Sequence, residues 1–279
     1  MDSHFVAAAA GQSPDGLGLT GRHMDSHISE FSYGYALTSE VIARFSLKPA
    51  GAPEFPTQSA EGKPGGSWDV KFPGVPVYLQ FKRAARMIRR SAGEAALFEN
   101  LPFFRMYLHR RDQSDQHQLL LDLESKGNVV AYAAPSFSEG DELNEAYSAD
   151  LVATRSIFVR PTAIGPLSDD RQHWIAFQTT PAAAFLCSQP KAVEFLLPEA
   201  LFQPQAADEA MRRRQGPRPM SYAAVAEELL DIYQHRRSRE GDQQRVERVR
   251  RVGERRDVRD FAQLVARTLF QSELLVIPA

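Results

Sequence analysis

The chain reads GGSWDVKF over residues 65–72 and VYLQFK over residues 77–82, and these two runs decide the fold that the sequence predicts. Both have strand-like composition, and a Pro-Gly pair between them is typical of a turn. Three polar side chains interrupt the runs, namely Asp69, Gln80 and Lys82. Because residues i and i+2 share one face of a strand, Gln80 and Lys82 point to the same side. If the runs pair as a hairpin, the Asp69 carboxylate joins them.

These three residue types suit phosphodiester chemistry. Mg²⁺ takes oxygen ligands and often keeps several waters, so one or two carboxylates and an amide oxygen suffice to hold it. Such a cation neutralises a phosphate and lowers the pKa of an attacking water. A nearby ammonium stabilises negative charge on the phosphate. The predicted hairpin is therefore a seat for a divalent metal and a phosphodiester, unless Gln80 and Lys82 merely lie on a solvated strand face.

Hydrophobic periodicity predicts the surrounding elements. A helix is expected over residues 28–45, with Ser26 or Ser29 as its cap, and a second helix begins near residue 112 or 114 and ends at Gly127. Further strands are predicted over residues 103–108, 129–134, 156–160 and 173–177, whereas residues 83–90 are predicted to form a basic helical turn or loop. The fold class is thus α/β (α+β), with a mixed central sheet flanked by helices.

In this order of elements, Asp69-x10-Gln80-Phe81-Lys82 resembles the PD-(D/E)XK nuclease superfamily, which has the restriction-endonuclease-like fold. The likeness is to the variant in which glutamine replaces the glutamate of E-x-K, and it covers roughly residues 28–135. The resemblance implies that Asp69 binds the metal, that Gln80 contributes its carbonyl oxygen as a ligand, and that Lys82 stabilises the phosphate or positions water. It implies Mg²⁺ or Mn²⁺ as the cofactor.

The superfamily also commonly carries an acidic residue in its first helix. Glu40 matches that role best and is expected to be a metal ligand, with Glu30 as the other candidate. The implied activity is that of an endodeoxyribonuclease, a hydrolase acting on DNA, in a setting of defence or restriction.

Basic residues after the predicted site offer a path for a nucleic-acid backbone. The predicted nucleic-acid contacts are Arg83, Arg86, Arg89, Arg90 and His117. The alternatives are an ordinary basic helix end and, for His117, a polar first turn facing solvent. Gln113 and Gln116, in the same predicted turn as His117, are candidates to line the cleft.

Composition and charge bound the remaining expectations. The formal net charge is −2, with 15 arginines and 12 acids from residue 205 onward. We expect a tail over residues 1–27, a nuclease-like domain over 28–202, a linker over 203–220 and an arginine-rich helical region over 221–279. The sequence Met1-Asp2-Ser3-His4 recurs at Met24, so Met24 is an alternative start.

The single cysteine and the absence of a long apolar run favour a cytoplasmic protein without a membrane span. The C-terminal helices are expected to contact DNA or to mediate a protein partner or self-association. Two other functions remain open. One is a catalytically inactive nuclease-like module that binds nucleic acid or a protein partner, and the other is an assembly subunit with no nucleic-acid role.

Overall fold

The computed structural model describes residues 25–49, 74–90, 93–178, 183–188, 191–214, 216, 221–236, 240–253 and 256–278. Asp69, the first strand of the predicted hairpin and most of the predicted N-terminal tail lie outside the described residues. The described parts of the chain have a mixed α/β architecture, as the sequence predicted, and they contain two five-stranded sheets.

The strands follow the chain in this order: β1 (Lys48–Pro49), β2 (Gly74–Phe81), β3 (Ala84–Met87), β4 (Phe103–Leu108), β5 (Val129–Pro135), β6 (Ser156–Val159), β7 (His173–Phe177), β8 (Ala184–Leu186), β9 (Lys191–Ala192) and β10 (Glu273–Pro278). The helices are α1 (Glu30–Phe45), α2 (Gln116–Ser125), α3 (Gly140–Ser148), α4 (Pro161–Ile164), α5 (Pro198–Phe202), α6 (Pro204–Arg213), α7 (Tyr222–Arg236), α8 (Glu240–Gly253) and α9 (Val258–Phe270). A short 3-10 helix covers Gly93–Leu97.

The central sheet has the strand order β1-β10-β2-β5-β6, and the second sheet has the order β3-β4-β7-β8-β9. In the central sheet β2 and β5 are parallel, with Val77 opposite Val129, while each of the other neighbouring pairs is antiparallel. The connection from β2 to β5 includes α2, which satisfies the need of a parallel pair for a long crossover. All neighbouring strands of the second sheet are antiparallel.

Side chains that alternate along β2 divide the core into two layers. Val77 and Leu79 pack with residues of α1, α3, α5 and α6 on one face of the central sheet. Tyr78 packs on the other face with residues of α2, α7 and α9 and with the inner side chains of the second sheet. Because a strand buried on both faces needs apolar side chains in both directions, β2 reads as a nearly continuous hydrophobic run.

The neighbours of β2 come from distant parts of the chain. On one edge β10 pairs with β2 from Gly74 to Leu79, and on the other edge β5 pairs with it from Val77 to Phe81. Over Val77–Leu79 both edges of β2 are therefore paired with these two strands. The other run of the predicted hairpin, residues 65–72, lies outside the described residues.

Several other elements match the sequence prediction closely. Ser29 caps α1, since its side chain accepts a hydrogen bond from the backbone N–H of Ser32. Strands β4, β5, β6 and β7 cover the predicted segments to within one residue, and Gly127 after α2 has a positive φ of 87°. Positive φ strains most side chains, so glycine suits this position.

Two segments differ from the prediction. Residues 84–87 form β3, an extended strand paired with β4, rather than the predicted helical turn or loop. Residues 204–213 form α6, whose Ala206 and Ala210 are buried against the central sheet, where the sequence suggested a linker. Short alanine-rich elements give weak periodic signals, so packing against the sheet decides their structure. In the described parts of the chain, the longest helix is the 16-residue α1, and none is long and apolar enough to cross a bilayer.

The position of β10 in the core gives a test of the fold. Leu274 is fully buried between β2 and the α7/α9 layer, so Leu274→Ala removes a core side chain and leaves a cavity. We expect a loss of about 2–5 kcal/mol in the free energy of unfolding, measured by urea denaturation. The matched control is Leu197→Ala, because Leu197 is 61% exposed and its truncation should cost roughly 0.5 kcal/mol or less. Equal losses in the two variants would contradict the placement of β10.

Candidate functional site

Gln80 and Lys82 lie at the carboxyl end of β2, on the face of the sheet that α2 covers. Gln80 is only 5% exposed and Lys82 only 3%. The backbone N–H of Lys82 donates to the carbonyl of Ala133 at 2.9 Å, which extends the β2–β5 pairing by one residue. The structure confirms that the two side chains point to the same side, because a single residue of α2, Gln116, contacts both.

Gln116 forms hydrogen bonds with three other side chains. We call the resulting network the amide–lysine cluster and define it as Gln80, Lys82, Gln116 and Gln271. Lys82 Nζ donates to Gln116 Oε1 at 2.9 Å. Gln116 Nε2 donates to Gln80 Oε1 at 2.9 Å and to Gln271 Oε1 at 2.6 Å. Gln80 Nε2 in turn donates to the carbonyl of Phe81 at 3.1 Å. Because an ammonium has donors only, Lys82 determines which way the Gln116 amide faces.

Burial lowers the pKa of Lys82 to about 8, and the negative charge of Glu30 partly offsets this effect. Removal from water disfavours the charged form of any amine. Burial also lowers the pKa of His109, with a further decrease from the Lys82 charge and an opposing increase from Glu30. The negative charge of Glu30 thus opposes the effect of burial on both Lys82 and His109. Glu30 is the first residue of α1 and is exposed.

Glu40, the expected acidic ligand of the first helix, has a structural role. Its two carboxylate oxygens accept the backbone N–H groups of Val152 at 2.7 Å and Ala153 at 3.1 Å. It lies on α1, which packs on the face of the central sheet opposite to Gln80. The prediction that Glu40 binds the metal with Gln80 is therefore wrong, and Glu30 is the acid of α1 whose charge acts on Lys82.

His117, predicted to contact nucleic acid, is part of the core. Its Nε2 donates to the carbonyl of Gly165 at 2.8 Å, so its Nδ1 accepts from the hydroxyl of Tyr132 at 3.0 Å. The two rings stack with centroids 5.9 Å apart. Burial lowers the pKa of His117, with a smaller opposing effect from the hydrogen bond to Gly165. A polar residue in a first turn suggested solvent, but α2 is covered by the sheet, α4 and α7.

The four arginines of the predicted cluster differ in exposure, and only Arg86 lies on β3. Arg83, Arg89 and Arg90 are exposed, whereas Arg86 is partly buried and forms an ion pair of 3.3 Å with Glu142 of α3. Arg86 therefore ties the second sheet to α3. The three exposed arginines remain candidates for contact with a polyanion.

A Ser–His–Asp series lies at one end of β7 in the second sheet. His173 Nδ1 lies 2.6 Å from Ser188 Oγ, and His173 Nε2 lies 3.1 Å from Asp169 Oδ1. However, His173 is fully buried, and its Nε2 makes no hydrogen bond to the described residues. Asp169 is instead held by two hydrogen bonds to the side chain of Arg171. The contact with Ser188 ties a turn to β7, and Asp169 is bound by Arg171 and does not orient the imidazole by a hydrogen bond.

The donors near the cluster suit a hard cation only in part. They are the amide oxygen of Gln80 and the carboxylate of Glu30, and Asp69 lies outside the described residues. In the described ranges there is no group of three or more His, Cys, Asp or Glu side chains that could hold a metal ion. The sequence suggested Gln116 as a cleft residue, but nothing in it pointed to Gln271, which reaches the site because β10 pairs with β2.

His117 makes the stability depend on pH. Its folded-state pKa is lowered, so the unfolded chain binds the proton more readily, and stability is lost as the pH falls below the unfolded-state value of about 6.5. In His117→Gln, urea denaturation between pH 7 and pH 5 should therefore show a smaller loss of stability with falling pH than the parent protein shows. His235→Gln, at an exposed imidazole, is the control and should keep the parental slope. An unchanged slope in His117→Gln would contradict the assignment.

Comparison of the chain with protein-family models, with curated proteins and with solved structures finds no match. The resemblance to the PD-(D/E)XK superfamily therefore depends on the Asp69-x10-Gln80-Phe81-Lys82 spacing and on the order of elements around it. Any function for this protein has to be inferred from its own side chains, and foremost from the amide–lysine cluster at the carboxyl end of β2.

Proposed function

We propose that the protein is a metal-dependent nuclease that hydrolyses DNA phosphodiester bonds, with Mg²⁺ or Mn²⁺ as the metal and Asp69, Gln80 and Lys82 as its site. One observation carries the proposal. The Gln80 amide oxygen and the Lys82 ammonium are held together at the carboxyl end of β2, beside the parallel strand β5. Ligand sites of α/β sheets commonly lie at the carboxyl ends of parallel strands.

Gln80 has the orientation that a metal ligand needs. Its Nε2 donates to the carbonyl of Phe81, and its Oε1 accepts one hydrogen bond from Gln116. A carbonyl oxygen has two lone pairs, so one stays available to a cation. Asp69 would supply a carboxylate, and Glu30 replaces Glu40 as the second one. When bound, the cation would neutralise the phosphate and lower the pKa of a water molecule.

Lys82 supplies positive charge in a place shielded from water. With a pKa of about 8, the charged form exceeds the neutral form by roughly tenfold at pH 7. One of its three N–H donors binds Gln116, and the other two are suited to phosphate oxygens. In a site of low dielectric, such a charge stabilises a developing phosphate charge more strongly than it does in water.

A duplex backbone also needs a surface that attracts it from solution. The exposed Arg83, Arg89 and Arg90 follow Lys82 closely in the chain and offer three positive charges. Backbone contacts of this kind release counterions, so binding weakens as salt rises. They carry no sequence information by themselves. DNA as the substrate therefore rests on charge and on the family resemblance.

A second candidate is a nuclease-like module that binds nucleic acid or a protein partner without cleaving. Two observations favour it: Lys82 is only 3% exposed, and the described residues lack a carboxylate cluster for a metal. Because α9 and β10 belong to the core, deletion of residues 205–279 would unfold the chain and cannot test the arginines. Point substitutions such as Arg248→Gln and Arg251→Gln on the exposed face of α8 are the suitable probes.

The nuclease proposal is tested by incubating the full chain with duplex and single-stranded DNA in Mg²⁺ or Mn²⁺. We expect cleavage, and a loss of about 10²-fold or more in rate for Lys82→Met and Asp69→Asn. Methionine keeps most of the apolar stem of Lys82 and removes the ammonium, with its charge and its hydrogen bond to Gln116. The control Lys126→Met alters an exposed lysine at the end of α2 and should cleave at the parental rate.

A matched pair of variants on α1 tests which acid acts in the site. Glu30→Gln should reduce cleavage about tenfold or more, because it removes the carboxylate whose charge acts on Lys82. Glu40→Gln should lower the thermal midpoint, because it weakens the hydrogen bonds to Val152 and Ala153, while the cleavage rate of the folded protein stays unchanged. DNA binding without cleavage by the parent protein would favour the inactive module. If the parent protein neither binds nor cleaves DNA, that result would contradict the nuclease proposal and would leave only the protein-binding form of the second candidate.

A further inference from the structure

The C-terminal end of α9 reaches into the amide–lysine cluster. Gln271 follows α9 directly and has a left-handed backbone, with φ at 53°. Its N–H bonds to the carbonyl of Arg267 at 3.1 Å, and the N–H of Ser272 bonds to the carbonyl of Ala266 at 3.2 Å. These bonds close the helix end, and β10 starts two residues later. The backbone of Gln271 is therefore held from both sides, and its Oε1 lies 2.6 Å from Gln116 Nε2.

The hydrogen bonds of the cluster can run in only one direction. The Lys82 ammonium has no acceptor, so Gln116 must turn its oxygen to Lys82 and its amino group away. That amino group has two N–H donors, and they meet exactly two acceptors, Gln80 Oε1 and Gln271 Oε1. Gln80 must then direct its own amino group to the carbonyl of Phe81. The orientation of each amide thus depends on its neighbours.

We propose that Gln271 is a positioning residue of this site, which accepts the second N–H of Gln116 and thereby fixes Gln80 Oε1 and Lys82 Nζ. Without that acceptor, one buried donor of Gln116 loses its partner, which favours rotation of the amide. The value of this positioning for catalysis rests on the proposed nuclease function, whereas the contact itself does not. The connection between α9 and β10 would thus supply a residue of the site, Gln271, just before the strand that pairs with β2.

A set of variants distinguishes the effect of the Gln271 acceptor oxygen from the effect of its backbone conformation. Gln271→Gly accommodates the left-handed backbone and removes the acceptor, whereas Gln271→Glu keeps an acceptor oxygen at the same length. Ser46→Gly is the matched control, since Ser46 ends α1 with the same φ of 53° and lies outside the cluster. All three are prepared as the full chain, and thermal midpoints are recorded to confirm folding.

The first measurement is independent of nuclease activity. Proton exchange of the Gln116 side-chain amide, followed by NMR after assignment with Gln116→Met, should become about fivefold faster in Gln271→Gly. It should stay within twofold of the parent in Gln271→Glu and in Ser46→Gly. Unchanged exchange in Gln271→Gly, or equal acceleration in Gln271→Glu, would overturn the positioning role.

The second measurement links the contact to the metal. In the cleavage assay, the Mn²⁺ concentration for half-maximal rate should rise about fivefold in Gln271→Gly and recover in Gln271→Glu. A change in amide exchange with no cleavage in any variant would overturn the nuclease function and keep the contact. A change in amide exchange with an unchanged Mn²⁺ requirement would overturn the part of the proposal that concerns Gln80.

Discussion

The pairing of β2 on both of its edges is the constraint on which the rest of the structure depends. With β10 on one side and β5 on the other, the strand cannot shift its register without moving every side chain to the other face of the sheet. This pairing holds Gln80 and Lys82 at the end of the strand, next to the first turn of α2. It also brings the end of α9 to the same place, so one pairing positions elements from three distant parts of the chain.

The buried charge of Lys82 is the second constraint, and it follows from the first. An ammonium removed from water needs hydrogen-bond acceptors, and the structure supplies the oxygen of Gln116. A buried ion without partners would lower the stability of the fold, so Gln116 supports both the fold and the site. His117, the next residue on α2, points into the core and fixes the helix through Tyr132 and Gly165. Gln116 thus belongs to the candidate site, whereas His117 belongs to the core.

Local patterns predicted most of the elements, and their failures have physical causes. Helical periodicity and a serine cap identified α1, and apolar runs identified β4, β5 and β7, because these signals lie within one element. The pairing of β2 with β10, which begins at residue 273, was not predicted. Short sequence separation favours a hairpin, whereas strand pairing over that distance leaves no local signal.

The sequence likewise predicted only part of the candidate site. The spacing of Gln80 and Lys82 on one strand face was sufficient to place them together, since it depends only on strand geometry. Glu40 was misassigned because the family resemblance implied an acidic ligand in the first helix, and His117 because a polar residue in a first turn suggested an accessible position. Both are buried with their hydrogen bonds satisfied by backbone or by a tyrosine, and only the tertiary structure supplies those partners.

The glutamine at position 80 changes the charge balance of the site. A glutamate there would face Gln116 across the same contact and would place a negative charge two residues from Lys82, which would favour the ammonium and raise its pKa. With glutamine, the amide–lysine cluster carries a single positive charge and three neutral amides. Such a cluster attracts an anion more readily than a cation, so the attraction for a metal has to come from carboxylates outside it. The charge of Glu30 acts on Lys82, and Asp69 is the other carboxylate that the sequence offers. A phosphate would complete the balance, since it would bring negative charge to Lys82 and oxygen ligands to a metal at once. In the proposed nuclease, the charge balance of the cluster would therefore favour joint binding of a phosphodiester and a cation over binding of the cation alone.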